Sequence, residues 1–426
     1  MKRFHKLQRQ DIAWLVWMAA VIFYFYEFFV RVAPGSMFKD MQHSYGVTAG
    51  LFGFASGIYY AIYSFVQVIA GILFDRFGGR KILIPACLCV TFGCACVLLS
   101  PQSLWVFAIG RFFMGLGSGF GFIGVMYLAA VWFRQERLSL ISGLTTAMGF
   151  LGAILTIRHI PQLVERIGWI PCWLWASILG ALSTVILYIA VPHSPAWEIN
   201  RRETYGRECT QHRFLTGLFQ VLRNPQTWII GCIAGSLYAT PTVFGDLWGN
   251  AYLQTVANLS HSSAGRTVAT LYIGWLLGSP FFGWLSDRIK KKKIFLQLSS
   301  LACGLLLCLF LYCPLSLNAT RIALLLIGFL GSPQVICFTA SLETNPPSMS
   351  GSAIAIVNMI VTLIGGLMQP LVGWLIDCLT RIDMGNNLPT ATAHNFRIAL
   401  GVLPIVTFAG FIMTFFYNEN RKGIPS

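Results

Sequence analysis

Long apolar runs separated by short polar segments make up almost the whole chain. Twelve of these runs hold ~18 or more mostly apolar residues, enough for a helix to cross a hydrocarbon core of ~30 Å. The pattern therefore predicts an all-α membrane protein with twelve transmembrane helices. The predicted spans lie at 12–34, 48–74, 82–100, 103–130, 138–158, 170–191, 226–253, 264–286, 294–313, 319–341, 350–376 and 396–417.

The end of the second predicted span and the segment that joins it to the third recur in the other half of the chain. At an offset of 212 positions, the matched pairs are Gly71 with Gly283, Asp75 with Asp287, Arg76 with Arg288, Tyr60 with Tyr272 and Tyr63 with Trp275. This offset is close to half of the 426 residues, so the chain is a duplication. We predict two pseudo-symmetric six-helix bundles at 1–195 and 226–426, joined by a cytoplasmic linker at 196–225. Carriers built from parallel membrane repeats bind their substrate between the repeats.

Charge and composition support this architecture. Hydrophobic residues make up 56% of the chain and charged residues only 11%, against roughly a quarter in soluble proteins. If the N-terminus is cytoplasmic, 21 of the 30 Lys and Arg residues fall on inner segments, so the positive-inside rule places both termini in the cytoplasm. The net charge of +15 is spread over short segments at helix ends. It forms no continuous basic patch, which argues against nucleic acid as a partner.

The loops between the spans contain no pattern typical of an enzyme. They are too short for a soluble domain, and we find neither nucleophile–base nor metal-ligand spacing in them. Gly115, Gly117, Gly119 and Gly121 resemble a phosphate loop, but they follow a helix and lack its Lys and Ser/Thr; close helix packing explains them. The twelve scattered Cys are expected to act as small apolar residues. We therefore expect no enzymatic activity, no cofactor and no metal site.

Four ionisable residues inside the spans are the main candidates for function, because each costs ~2.5–3.5 kcal/mol on insertion. Glu27 and Arg31 lie one helical turn apart, close enough to pair. We predict Glu27 as the proton-coupling residue and a possible substrate contact, with a static ion pair as the alternative. Asp246 is the second proton-coupling candidate, with an outer-gate role as its alternative. A helix broken after Pro241 would expose backbone carbonyls to a cavity there.

Arg31 and Arg111 are predicted to bind an anionic group, because a guanidinium stays charged and contacts carboxylates in a bidentate manner. A latch between helices through Glu27 is the alternative for Arg111. The other residues that could line a substrate pocket are Tyr59, Tyr60, Tyr63, Tyr272, Trp275, Gln334, Asn358 and Gln369. Packing against helices or lipid is the alternative for any single aromatic.

The loop segment Gly71-x-Leu-x-Asp75-Arg76-x-Gly-x-Arg80-Lys resembles the signature between the second and third spans of the major facilitator superfamily. The run of Arg111 to Gly117 is similar to that family's second motif. The resemblance implies the family's fold and a conformational latch formed by Gly71, Asp75, Arg76, Arg80, Asp287 and Arg288. The fifth span lacks the Gly-Pro pair typical of drug/proton antiporters. A third look-alike, Gly373 to Asp377, lacks the basic residues, and we interpret it as chance or packing.

The first span and the Asn-Pro segments at Asn224 and Asn345 resemble a bacterial uptake group within this superfamily. We therefore expect a monomeric secondary transporter of the inner membrane that works by rocker-switch alternating access. The expected activity is proton-coupled import of a small polar metabolite with an anionic group, such as an amino acid or organic acid. Efflux of an organic acid or siderophore-like compound, or a transporter-like solute sensor, are the alternatives.

Overall fold

Helices form all the regular secondary structure in the part of the chain that the structure describes. The structure is a computed structural model and describes residues 2–99, 101–133, 138–192, 218–289, 291–346, 349–384 and 391–419. Twelve helices in these ranges are long and apolar enough to cross a membrane, which confirms the predicted fold class. In chain order, the spans are Asp11–Ser36, Ala49–Phe74, Gly79–Leu99, Leu104–Trp132, Ile141–Ile167, Ile170–Ala190, Pro225–Val256, His261–Ser286, Lys292–Tyr312, Leu317–Thr344, Gly351–Ile382 and Ala393–Phe416.

The fifth span differs most from its predicted bounds. The apolar run predicts an end at 158, but the helix continues to Ile167 and includes Pro161. Hydrophobicity marks where a helix leaves the hydrocarbon core, and a helix can extend beyond that point. The helix ends before Gly168, whose φ of 79° suits the left-handed turn that follows many helices.

The seventh span changes from an α-helix to a π-helix in its middle and then back to an α-helix. Its α-helical parts are Pro225–Ala239 and Gly249–Val256, and a π-helix, Thr240–Trp248, connects them. Proline lacks the backbone N–H of a regular helix, and Pro241 lies at the start of this wider turn. The predicted break in the helix is therefore wrong, because the π-helix keeps the span continuous. All residues of Thr240–Trp248 are buried.

With an even number of spans, the start of the first span at Asp11 and the end of the last at Phe416 lie at one end of the bundle, here called the terminal end. Ser36, Ala49 and Ile382 lie at the opposite end, here called the distal end. Toward the distal end, the second and eleventh spans are in backbone contact. A Cβ on Gly53 would lie 2.9 Å from the Gln369 carbonyl oxygen, and one on Gly57 would lie 2.8 Å from that of Gly366.

Glycines near the terminal end are packed differently. A Cβ added to any of four glycines in the second, fifth, eighth and eleventh spans would meet no atom of the described residues within 4 Å. These are Gly71, Gly143, Gly283 and Gly351. In this conformation, Gly71 makes no close contact with another helix among the described residues. The first six and the last six spans are thus in close contact toward the distal end. At these four glycines near the terminal end, they are not.

The predicted linker lies mostly outside the described residues, since the structure describes only its part from residue 218 onward. Residues 218–223 are helical, and Val221 packs against Ala353 and Ile356 of the eleventh span. The Asn224 side chain accepts from the Gln226 N–H at 3.0 Å and donates to Asn345 Oδ1 at 3.0 Å. The two Asn-Pro segments that stood out in the sequence therefore meet at the terminal end.

Candidate functional site

Glu27 and Arg31 form a buried ion pair in the first span, as their spacing predicts. Arg31 Nη2 donates to Glu27 Oε1, and the two side chains are 4% and 0% exposed. Tyr59 of the second span connects both groups. Its hydroxyl donates to Glu27 Oε1 at 3.2 Å and accepts from Arg31 Nε at 3.4 Å. A tyrosine hydroxyl can do both at once, so it holds the pair in one geometry.

The second carboxylate oxygen of Glu27 is in a different position. Among the described residues, Oε2 has no hydrogen-bond partner. It faces the fourth span at Gly121, where a Cβ would lie only 2.7 Å away. The absence of a side chain at Gly121 therefore makes room for this oxygen. The sequence predicted helix packing at the four glycines of this span, and Gly115 and Gly117 confirm it by their close approach to the Tyr59 and Ala86 backbone.

Aromatic rings surround the Arg31 guanidinium. Its central carbon lies 4.3 Å from the ring centre of Phe28 and 4.8 Å from that of Tyr63. The rings of Tyr59 and Tyr60 are 5.8 and 6.0 Å away. Cation–π attraction at such distances stabilises the positive charge of Arg31 in addition to its pairing with Glu27. The predicted site residues Tyr60 and Tyr63 thus lie beside Arg31.

Arg111 is buried like Arg31 but has a different environment. Its guanidinium donates to the Ser56 carbonyl through Nε and Nη2, at 3.2 Å each, and to the Val30 carbonyl at 3.2 Å. It also lies 4.3 Å from the Tyr59 ring centre. The side chain therefore ties the fourth span to the backbones of the first and second. The predicted alternative of a latch to Glu27 is wrong, since these two carbonyls take its place.

Asp246 lies between the two repeat-matched tyrosines. Tyr60 donates to its Oδ2 and Tyr272 to its Oδ1. The Tyr272 hydroxyl also contacts the Pro241 carbonyl at 3.1 Å, within the π-helix. Two hydroxyl donors suit an ionised carboxylate, which only accepts. Tyr60 belongs to the first six spans and Tyr272 to the last six, so this cluster joins the two repeats.

Removing either tyrosine hydroxyl should weaken this junction. We expect Tyr272→Phe and Tyr60→Phe each to lower the free energy of unfolding by about 1.5–3 kcal/mol, because each removes a hydrogen bond to a charged group. Thermal unfolding in detergent micelles measures the effect. Tyr45→Phe is the matched control, because the Tyr45 hydroxyl is buried without a described partner. Equal unfolding temperatures for all three variants would show that the hydrogen bonds from Tyr60 and Tyr272 to Asp246 do not stabilise the protein.

The remaining predicted pocket residues are distributed around this cluster. Trp275 is buried against Tyr238, with ring centres 5.3 Å apart. Asn358 donates to Gln67 of the second span, an amide that sequence reasoning did not select. Gln369 Nε2 donates to the Thr242 carbonyl at 2.8 Å. Gln334 is buried in the tenth span, where the helix restarts after Pro333.

The principal groups share one depth in the bundle. Glu27, Tyr59, Asp246 and Tyr272 each lie roughly ten residues, ~15 Å along a helix, from the distal end of their spans. This is near the middle of a ~30 Å hydrocarbon core. Two carboxylates, Glu27 and Asp246, and two guanidiniums, Arg31 and Arg111, are thus buried inside the bundle.

The predicted latch residues at the terminal end are only partly described. The side chains of Asp75 and Asp287 lie outside the described residues. Arg80 donates to the Val191 carbonyl at the end of the sixth span, and it lies 4.5 Å from the Tyr188 ring centre. Arg76 and Arg288 lie over the neighbouring rings of Phe77 and Trp284, at 5.3 and 5.5 Å. Their predicted role in a latch stays a prediction.

No group of three or more His, Cys, Asp or Glu side chains that could hold a metal occurs among the described residues. Twelve spans with buried charged residues near mid-depth define a polytopic membrane protein. The chain belongs to the Major Facilitator Superfamily, whose family model matches residues 18–370. Its fold and relatives are those of transporters, not of enzymes.

Individual relatives are distant. The chain is 25% identical over 235 residues to a protein of Mycobacterium tuberculosis named as a probable nitrate/nitrite transporter, covering 54% of this chain and 55% of that protein. It thus spans about half the length of that relative. It is 23% identical to the cis,cis-muconate transport protein of Acinetobacter baylyi, over 67% of this chain and 69% of that one. A protein of Cupriavidus necator named as a probable sulfoacetate transporter is 22% identical, over 85% and 87%.

Solved structures share the fold. A bacterial homologue of the human lysosomal transporter Spinster, in an inward-facing and occupied conformation, superposes with a TM-score of 0.77. The two chains are 14% identical, and the match covers 96% of this chain and 98% of that one. A nucleoside transporter superposes with a TM-score of 0.72 at 14% identity, over 93% and 99% of the chains.

Proposed function

We propose that this protein is a proton-coupled importer of small organic anions. The observation that carries the proposal is Arg31, a buried guanidinium in an aromatic cage whose carboxylate partner is Glu27. A substrate carboxylate has the same shape and charge as the Glu27 side chain. It can replace Glu27 on Arg31 with bidentate geometry. Three relatives are named as transporters of nitrate/nitrite, cis,cis-muconate and sulfoacetate, which supports an anionic substrate class.

The coupling proton follows from charge balance. When a substrate anion occupies Arg31, Glu27 loses its cation and becomes a buried, unpaired charge, which costs several kcal/mol. Binding a proton removes that cost. Oε2 faces Gly121 without a described hydrogen-bond partner, so the proton has a place to bind. Asp246 accepts hydrogen bonds on both oxygens. Glu27 is therefore the better proton site in this conformation.

Transport then requires the two repeats to rock around this site. The halves 1–195 and 226–426 move as units, joined by the linker at 196–225, and the terminal end faces the cytoplasm of a bacterial cell. The predicted excess of Lys and Arg on that side supports this orientation. Because Glu27 and Arg31 occupy the middle of the bundle, the anion and proton reach them from either side in turn. The protein acts as a monomer.

Uptake into proteoliposomes tests the proposal. The purified full-length protein is reconstituted, a pH gradient acid outside is imposed, and labelled dicarboxylates, aromatic acids and sulfonates are supplied one at a time. If one proton accompanies each monoanion, a gradient of one pH unit should drive about tenfold accumulation. Collapse of the gradient with a protonophore should abolish it. Binding without uptake would indicate a sensor, and export driven by the same gradient would indicate an efflux carrier.

A further inference from the structure

The segment from Gly373 to Asp377 in the eleventh span makes a specific contact at the distal end. Both carboxylate oxygens of Asp377 accept hydrogen bonds from the start of the second span. Oδ1 accepts from the Ala49 N–H at 2.9 Å and Oδ2 from the Gly50 N–H at 2.7 Å. Of the two interpretations of this segment, chance or packing, these contacts favour packing. Asp377 reaches across from the last six spans to the first six.

The amides involved are those that a helix leaves unpaired. The first N–H groups of a helix have no partner within it and carry a partial positive charge. Asp377 accepts hydrogen bonds from two of these N–H groups, and the Thr48 hydroxyl accepts from a third, that of Leu51, at 3.4 Å. The start of the second span is thus capped twice. One cap comes from its own segment and the other, which is charge-assisted, comes from the opposite repeat.

Glycine brings the two helices close enough for this contact. A Cβ on Gly373 would lie 2.5 Å from the Ala49 carbonyl oxygen, and one on Gly50 would lie 2.6 Å from Asp377 Oδ2. Residues four apart lie on the same face of a helix. Gly373 therefore provides the close approach, and Asp377 one turn later provides the hydrogen bonds.

We propose that Asp377 is a latch that closes the distal end between the two repeats and is released once in each transport cycle. Opening the distal end separates the start of the second span from the eleventh span, so both hydrogen bonds break together. The same Gly-x-x-x-Asp pattern recurs at Gly71 to Asp75, at the opposite end of the second span. The distal end thus carries its own closing element, distinct from the predicted latch at the terminal end.

Hydrogen–deuterium exchange of the full-length protein in lipid nanodiscs tests this proposal. A second contact across the distal end reports opening independently, because Glu165 of the fifth span accepts from the Ser262 N–H of the eighth at 3.0 Å. Asp377→Asn removes the charge and one acceptor. We expect faster exchange at both Ala49–Leu51 and Ser262, by about tenfold, which corresponds to ~1.4 kcal/mol.

Thr48→Ala is the matched control, since it removes a cap of the same helix that does not cross between the repeats. It should accelerate exchange at the start of the second span only. If Asp377→Asn also accelerates exchange only at the start of the second span, Asp377 is a helix cap and not a latch. If it leaves exchange unchanged, the contact is dispensable. Either result shows that the proposal is wrong.

Gly50→Ala provides a second route to the same state if Asp377→Asn folds poorly. The added methyl group would lie 2.6 Å from Asp377 Oδ2 and 3.2 Å from the Cα of Trp374, so it displaces the carboxylate and presses the two spans apart, while it favours the helix itself. It should accelerate exchange at Ser262 as Asp377→Asn does, and the double variant should add little to either single one. Unchanged exchange at Ser262 in Gly50→Ala would contradict the latch.

Discussion

Replacing Glu27 by Gln is expected to abolish proton-driven accumulation while substrate exchange across the membrane continues. The variant keeps the size of the side chain and its hydrogen bonding to Tyr59, but it cannot titrate. With a gradient of one pH unit, the accumulation ratio should fall from about ten to about one. Exchange needs only the loaded carrier to change conformation, and a bound anion still compensates Arg31. Counterflow and net uptake, measured in the same proteoliposomes, separate the two outcomes.

The same variant should change how binding depends on pH. If each anion brings one proton to Glu27, the affinity of the native protein falls as pH rises, by up to tenfold per unit. Glu27→Gln should bind the anion at least as tightly at every pH, because no carboxylate competes for Arg31. Asp246→Asn is the control and should retain the pH dependence. Loss of exchange in Glu27→Gln would make Glu27 a substrate or structural residue, and retained accumulation would move coupling to Asp246.

Replacing Arg31 by Lys is expected to weaken anion binding about 10- to 100-fold. An ammonium keeps the charge, but it cannot make two parallel hydrogen bonds to one carboxylate, and hydrogen bonds to charged groups contribute about 1.5–3 kcal/mol each. It also packs less well against the rings of Phe28 and Tyr63. Isothermal titration with the substrate identified by uptake gives the affinity.

Arg111→Lys is the matched control for this change, because both guanidiniums are fully enclosed by protein. Arg111 donates to the carbonyls of Ser56 and Val30. Its replacement should lower the unfolding temperature and leave the affinity of the folded protein nearly unchanged. If Arg31→Lys transports normally, the site needs only a positive charge. If Arg111→Lys loses affinity without losing stability, Arg111 belongs to the binding site after all.

Contacts between residues on one helix could be inferred from their spacing in the sequence, whereas contacts between residues on different helices could not. Glu27 and Arg31 are four residues apart, so their pairing follows from helical geometry. The offset between the repeats also selected Tyr60 and Tyr272, although it did not reveal that both contact Asp246. Tyr59 appeared only as one aromatic among several, because nothing local distinguishes a tyrosine that connects an ion pair from one that packs against lipid.

The glycines show the same contrast between what the sequence indicates and what only the structure reveals. Their spacing on the fourth span indicated close packing, but only the three-dimensional arrangement places Gly121 against Glu27 Oε2. In the same way, Gly373 and Asp377 share a helix face by sequence. Their partner, the start of the second span, lies 327 positions from Asp377 along the chain.

The sequence by itself determined the twelve spans, the duplication and the set of buried charges, because hydrophobicity over a bilayer's thickness and the cost of burying charge act on each segment separately. The tertiary structure alone decided which tyrosines contact each carboxylate, that Arg111 ties three helices together, and which end of the bundle is closed. These outcomes depend on how helices from distant parts of the chain pack against one another. A buried polar group must take whichever partner that packing brings within hydrogen-bonding distance.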